Sequence, residues 1–454
     1  MHPYRALIAT LIGAHALAAA VGEAPAATHR PIPLSFSVAR APIVYQVQGE
    51  PGLDHPIGEA IAVGGARIPA RRVEDKLELD AARDGTFKAA RPGPLTVTLG
   101  EAGDKQRDKL DLLLTRREDG TWTYRVLTVL VGKLGKETIT VLDGDGDGVF
   151  NEAGVDALAI GAAALAWPLP RADERWCTRT HDLTGLAFGP RGADAALAGR
   201  PLATVLPETL ALLDGINAQR ALYGLAPRGE DPALSAPLQK HCLYMVGTGV
   251  LAHPEEPSRP GYSADGHEAG MASILSQGRS AAEVAEMMVA TFYHRQDVVR
   301  PDTLAFGLGY AGKFGGIDGR RRLGGTQRWP IVIPHPDASG IPLRFQQEAP
   351  DPIAGDREAG FPITVYFGSG APVLKEATLT AIDAKGSRPV DCYRFDAAQG
   401  GAVDFNGFQH VVALIAKEPL AASTHYQVSM TVDLAGTAWS RTWRFATIGA
   451  KPGR

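Results

Sequence analysis

The stretch LPETLALLDGINAQRALYGL, residues 206–225, decides how the rest of the chain is read. Leu206, Leu210, Leu213 and Ile216 recur at the spacing of one helix face, Pro207 stands near the start, and Gly224 follows the end. Leu238, Cys242 and Met245 extend that period into a second helix over residues 235–246. Ser280-Ala-Ala-Glu283 reads as a capping box. It opens a third helix that carries Val284, Met287, Met288 and Phe292 inward and runs out near His294. AFGLGYAG (305–312) then alternates Phe306, Leu308 and Tyr310 with small residues, as a strand does. Residues 200–314 are therefore expected to form a mixed α/β domain.

On both sides the period changes to two. TYRVLTVLVG (123–132) and KETITVL (136–142) predict strands within a β-rich domain over 31–185. PITVYF (362–367), VVALIA (411–416), THYQVSMTVDL (424–434) and SRTWRFAT (440–447) predict a β-sandwich over 329–448. Residues 315–328, with Arg320 to Arg322 among glycines, read as a solvated linker.

Composition narrows the function classes. Apolar residues are 45% and charged residues 21% of the 454, the ordinary soluble pattern. Lys and Arg number 46 against 50 Asp and Glu, so no global basic field draws in nucleic acid. At the start, Arg5, the uncharged run Ala6 to Gly22 and Ala24-Pro25-Ala26 predict a cleavable signal peptide over 1–26. Export to the cell envelope or beyond follows, with no membrane-spanning helix in the mature chain. Cys177, Cys242 and Cys392 could form one disulfide and a spare thiol, or none.

The central segment resembles the CAP superfamily, the secreted proteins related to cysteine-rich secretory and pathogenesis-related proteins. Asn217, Arg220, Gly224 and Leu225 match its N-x-x-R-x-x-x-G-L helix, and Asp231, Pro232 and Leu234 its D-P-x-L turn. His253 matches the histidine that ends the next helix. His294 followed by GLGYA (307–311) matches a second histidine before a strand. The resemblance implies a central α-β-α sandwich whose cleft holds two histidines and two acidic residues, with a divalent metal on the histidines in some members. Carried over, the cleft residues are His253, Glu268 and His294, while the second acidic position falls on Thr291. Two neutral imidazoles suit zinc or another transition ion, but without a third ligand they make a weak site.

LDGDGDGVFNEAGVD (142–156) carries a different chemistry. Asp143, Asp145 and Asp147 alternate on a tight loop before Gly148, as at the opening of a calcium loop, while Gly154 stands where an EF-hand has Glu. KETITVL and VDALAI flank it as strands, so a strand-loop-strand calcium site completed by Asn151 and Asp156 is expected. Two other motifs fall away on context, and a third is absent. GLGYAG lacks a following helix, HEAGM (267–271) has Met271 where a zincin has its second His, and no nucleophile elbow occurs.

The C-terminal segment is similar to bacterial Ig-like modules. WPIVIPHPDASGIPLRF supplies a proline-rich first strand, and the closing strands carry a W-x-F end, Trp443 and Phe445. The expectation is thus a bacterial, secreted, multidomain protein: an N-terminal β-rich domain, a central CAP-like α-β-α sandwich and a C-terminal Ig-like β-sandwich. Its expected function is non-enzymatic binding of a small apolar ligand, surface polymer or partner. The alternatives are a metal-dependent or acid-base hydrolase using His253, His294 and Glu268, and a structural envelope protein stiffened by calcium.

Overall fold

The computed structural model describes residues 29–449, except 42–45, 48–52, 64–65, 75, 100–108, 118–119, 162–164, 203–205, 224, 323–328, 350, 354–357, 384–385 and 397–409. The expected signal peptide and Gly224 lie outside the described residues. The chain divides into two compact units, one of His29–Trp176 with Leu183–Gly199, the other of Cys177–Asp182 with Arg200 onward. No helix among the described residues is long and apolar enough to cross a membrane.

The expectation of a fold organised around a central α-β-α sandwich does not hold. The chain is mostly β, 46% strand against 14% helix, in seven small sheets. The physical reason is local. Among the described residues helices occur only between 210 and 299, five of them, and Gly-punctuated alternation dominates the rest.

In the first unit, Phe36–Arg40, Thr128–Leu134, Glu137–Leu142 and Ala157–Ile160 are neighbours in a six-stranded sheet. Glu137–Leu142 and Ala157–Ile160 pair antiparallel, with Ile139 opposite Ile160 and Leu142 opposite Ala157, so the acidic loop 143–156 joins adjacent strands. Val129, Leu142, Ala157 and Ala159 pack together beneath it.

In the second unit the helices are α1 (Leu210–Leu222), α2 (Pro232–Thr248), α3 (Ala264–Met271), α4 (Ala281–Val289) and α5 (Arg295–Val299). Asp231 caps α2 by accepting the Ala233 N–H, with Pro232 at the first helical position, and Gly249 ends it in the left-handed region at φ 73°. Ser280 accepts the Glu283 N–H at the start of α4, and Glu283 accepts in turn from Arg279. On α1 the inward face is Leu212, Leu213, Ile216 and Arg220, while Leu210 is exposed.

These helices cover the sheet Gly229–Glu230, Thr303–Ala311, Phe314–Arg322, Ile274–Gln277. Its glycines are packing devices. A Cβ at Gly309 would stand 2.5 Å from the Leu238 carbonyl oxygen, so G-x-G here admits the α2 backbone rather than a phosphate. The expected linker is corrected too: residues 315–322 belong to the Phe314–Arg322 strand, paired with Thr303–Ala311. Each arginine of its run meets an acid, Arg320 with Asp318, Arg321 with Asp231 and Arg322 with Asp297.

Beyond it lie a four-stranded sheet (Ile331–Ile333, Ile363–Tyr366, Val411–Ala416, Cys392–Phe395) and a five-stranded sheet (Ala338–Ile341, Thr437–Thr447, His425–Leu434, Val373–Asp383, Gly386–Val390). Val365, Leu414, Val428, Met430, Trp443 and Phe445 are buried in one core that also takes in Leu212, Ile216, Met288 and Val298.

Candidate functional site

The N-x-x-R element is a clamp. Arg220 is fully buried and donates to the carbonyl oxygens of Ala226, Val298 and Arg300. Asn217 accepts the Arg228 N–H and donates to the Arg228 carbonyl. Together they tie the loop after α1 to the 298–300 segment at the end of α5.

His253 does not end a helix, as the resemblance implied. α2 stops at Thr248, and His253 lies in the following loop, half-buried, with Nδ1 2.8 Å from the Gly270 carbonyl oxygen. That bond puts the proton of a neutral ring on Nδ1 and the lone pair on Nε2. Gly270 is itself shaped by a buried pair. A Cβ there would fall 2.4 Å from His241 Cε1, and His241 places Nδ1 2.9 Å from Glu255 Oε1 and Nε2 3.0 Å from the Ala252 oxygen. Both partners of that pair are fully buried.

His294 stands at the N-terminus of α5, after α4 has ended at Val289. It therefore has no helical neighbour on α4. Burial, with a smaller contribution from the charge His253 can carry, lowers its pKa to about 4. Thr291, at the second acidic position, donates to the Met288 carbonyl and accepts the Arg295 N–H. Glu268 lies exposed on α3.

A carboxylate does reach His294, from an unexpected place. Glu348, whose side chain is buried, accepts the Phe292 N–H (2.5 Å), the Tyr293 N–H (2.9 Å) and the His294 N–H (3.0 Å), and its Oε2 is 3.7 Å from His294 Nδ1. Burial pushes its pKa up to about 7 against the pull of those three amides. Sequence reasoning missed it because it sits 54 residues from His294 in a polar stretch without periodic signal. Arg295, fully buried, was missed as well. It donates to the Pro362 carbonyl and Thr364 Oγ1 and faces the Phe361 ring at 4.7 Å.

In the first unit, Asp143, Asp145 and Asp147 each bring a carboxylate oxygen within 4.8 Å of the others. Asp143 is buried and accepts the Gly146 and Gly148 N–H groups. Asp156 accepts the Gly144 and Glu152 N–H groups, and a Cβ at Gly144 would stand 1.8 Å from the Val155 oxygen. Burial drives Asp143 up to about 8 and Asp156 to about 7, with repulsion among the carboxylates adding to both. Asn151 donates to the Phe188 carbonyl. Glu152, not anticipated, has a buried Oε2 with no hydrogen-bond partner and feels Asp145 and Asp147.

No protein-family model matches the chain, and no curated protein matches it. Among solved structures the chain is similar to an extracellular protein containing an SCP domain from Bacillus anthracis str. Ames. The identity is 12%, covering 47% of this chain and 86% of that one, with a TM-score of 0.21. At that score the likeness carries no argument about the site.

Proposed function

We propose that the chain is a secreted, CAP-like binding protein of the cell envelope, rather than a hydrolase. The observation that supports it most is the state of His294: a pKa near 4 makes the ring a poor proton acceptor at neutral pH, yet leaves it neutral and able to bind. Among the described residues, none of the candidates for the acid of a hydrolytic set is free beside it. Thr291 is satisfied internally, Glu268 is exposed and Glu348 is held by three backbone amides. His253 and His294 fit a transition ion only in part. No third His, Cys, Asp or Glu joins them into a ligand group among the described residues. An ion there needs oxygen from a ligand or water to fill its shell.

Calorimetric titration of zinc into the full chain, with His253→Ala and His294→Ala, tests this reading. Weak single-site binding lost in both variants is expected, without release of product from ester or peptide substrates. Substrate turnover abolished by His294→Ala would instead establish the hydrolase.

A second reading concerns the 143–156 loop, which we propose holds calcium in a structural role. Asp143, Asp145 and Asp147 are mutually close, and the unpartnered Glu152 Oε2 supplies a further hard oxygen donor.

A further inference from the structure

The turn that carries His294 is held from outside its own helices. The Gln346 N–H donates to the Ala290 carbonyl, Glu348 accepts three successive amides from 292 to 294, and Arg295 is anchored on Pro362 and Thr364. The Phe292 ring also packs on Phe395, with centroids 5.5 Å apart. Every one of these partners belongs to the segment after residue 340, which the sequence presents as a separate β module. At the centre is a carboxylate whose Oε2 lies 3.7 Å from His294 Nδ1.

We propose that Glu348 is a positioning residue of the cleft, so that the C-terminal β module sets the orientation and tautomer of His294. A carboxylate facing Nδ1 favours the proton on that nitrogen, which leaves the lone pair on Nε2. The same polarity is imposed on His253 by the Gly270 carbonyl, so both cleft rings offer the same nitrogen as acceptor. The two supports differ in origin: Gly270 is local to the helical module, while Glu348 arrives from the next one. This inference extends the binding reading, but its test uses no ligand, so either can fail alone.

The experiment is long-range proton–nitrogen NMR of the full chain labelled in its histidine rings, without metal, for the wild type, Glu348→Gln and the exposed control Glu268→Gln. The wild-type His294 ring should show the Nδ1–H pattern. Glu348→Gln should shift it predominantly to Nε2–H while His253 keeps Nδ1–H, and Glu268→Gln should change neither. A wild-type His294 already in the Nε2–H form would overturn the proposal without recourse to any variant. So would a folded Glu348→Gln protein with an unaltered His294 pattern, since Glu348 would then be only a structural cap.

Discussion

Gly270 shows how much one missing side chain can decide. Its carbonyl fixes His253, and its Cα surface lies against the buried His241 ring, where a methyl group would intrude to 2.4 Å. His241 cannot yield easily, being held at both nitrogens. Gly270→Ala should therefore destabilise the second unit by about 2 kcal/mol, within the range for overpacked cores. Urea unfolding with a wild-type midpoint would refute this. His294 adds a pH effect at the same scale. Its folded pKa lies below the ordinary histidine value, so its contribution to stability is intact above pH 6.5 and is lost as pH falls toward 4. Replacing it with Gln should flatten the acid side of the stability profile between those limits.

Elements were legible where a short-range rule governs them. The cap at Ser280 and the inward faces Leu238–Cys242–Met245 and Val284–Met288 were readable from spacing, whereas α2 begins at Pro232, capped by Asp231, three residues before its expected start. The face of α1 was readable only in part: Leu213 and Ile216 are buried as expected, but Leu210 is exposed and Arg220 takes a core position through bonds to carbonyls distant in sequence. Glu348 was invisible for the same reason: nothing local marks a residue whose partners lie 54 or more positions away. In the acidic loop the strand flanks and Asp143, Asp145 and Asp147 could be read, whereas the donor Glu152 could not. Asp143 and Asp156 have folded pKa values above those of unfolded carboxylates. The ion-free loop's contribution is thus full below about pH 4 and is lost as pH rises through 7 to 8. In chelator, the first unit should melt at progressively lower temperature from pH 5 to 9. Calcium at a hundredfold excess over its Kd should restore about 2.7 kcal/mol, or about 5–10 °C for a unit of this size. An Asp143→Asn chain should lose the calcium response. A calcium-insensitive wild-type midpoint at pH 8 would remove the structural-ion reading.

At the scale of the molecule, the sequence marks a change of character after residue 314, but the apolar core does not stop there. Leu212, Ile216 and Val298 share one cluster with Phe361, Val365 and Phe445. A chain cut after residue 322 would expose that shared surface and strip Arg295 of its Pro362 and Thr364 acceptors. A 200–322 fragment should accordingly bind hydrophobic dye and melt without a cooperative transition, whereas a 200–449 fragment should unfold in one. Two independent transitions in the longer fragment would contradict the shared core.

The arginine run at 320–322 has a practical consequence for protease mapping. Three consecutive basic residues are ordinarily a preferred trypsin site, but a protease must draw its substrate into an extended, unpaired form. Here Arg321 and Arg322 face Ala305 and Thr303 across a strand ladder, and all three side chains are matched to acids. In the folded protein the run should resist nicking, and the rate at which trypsin eventually cuts there becomes a clock for opening of this sheet.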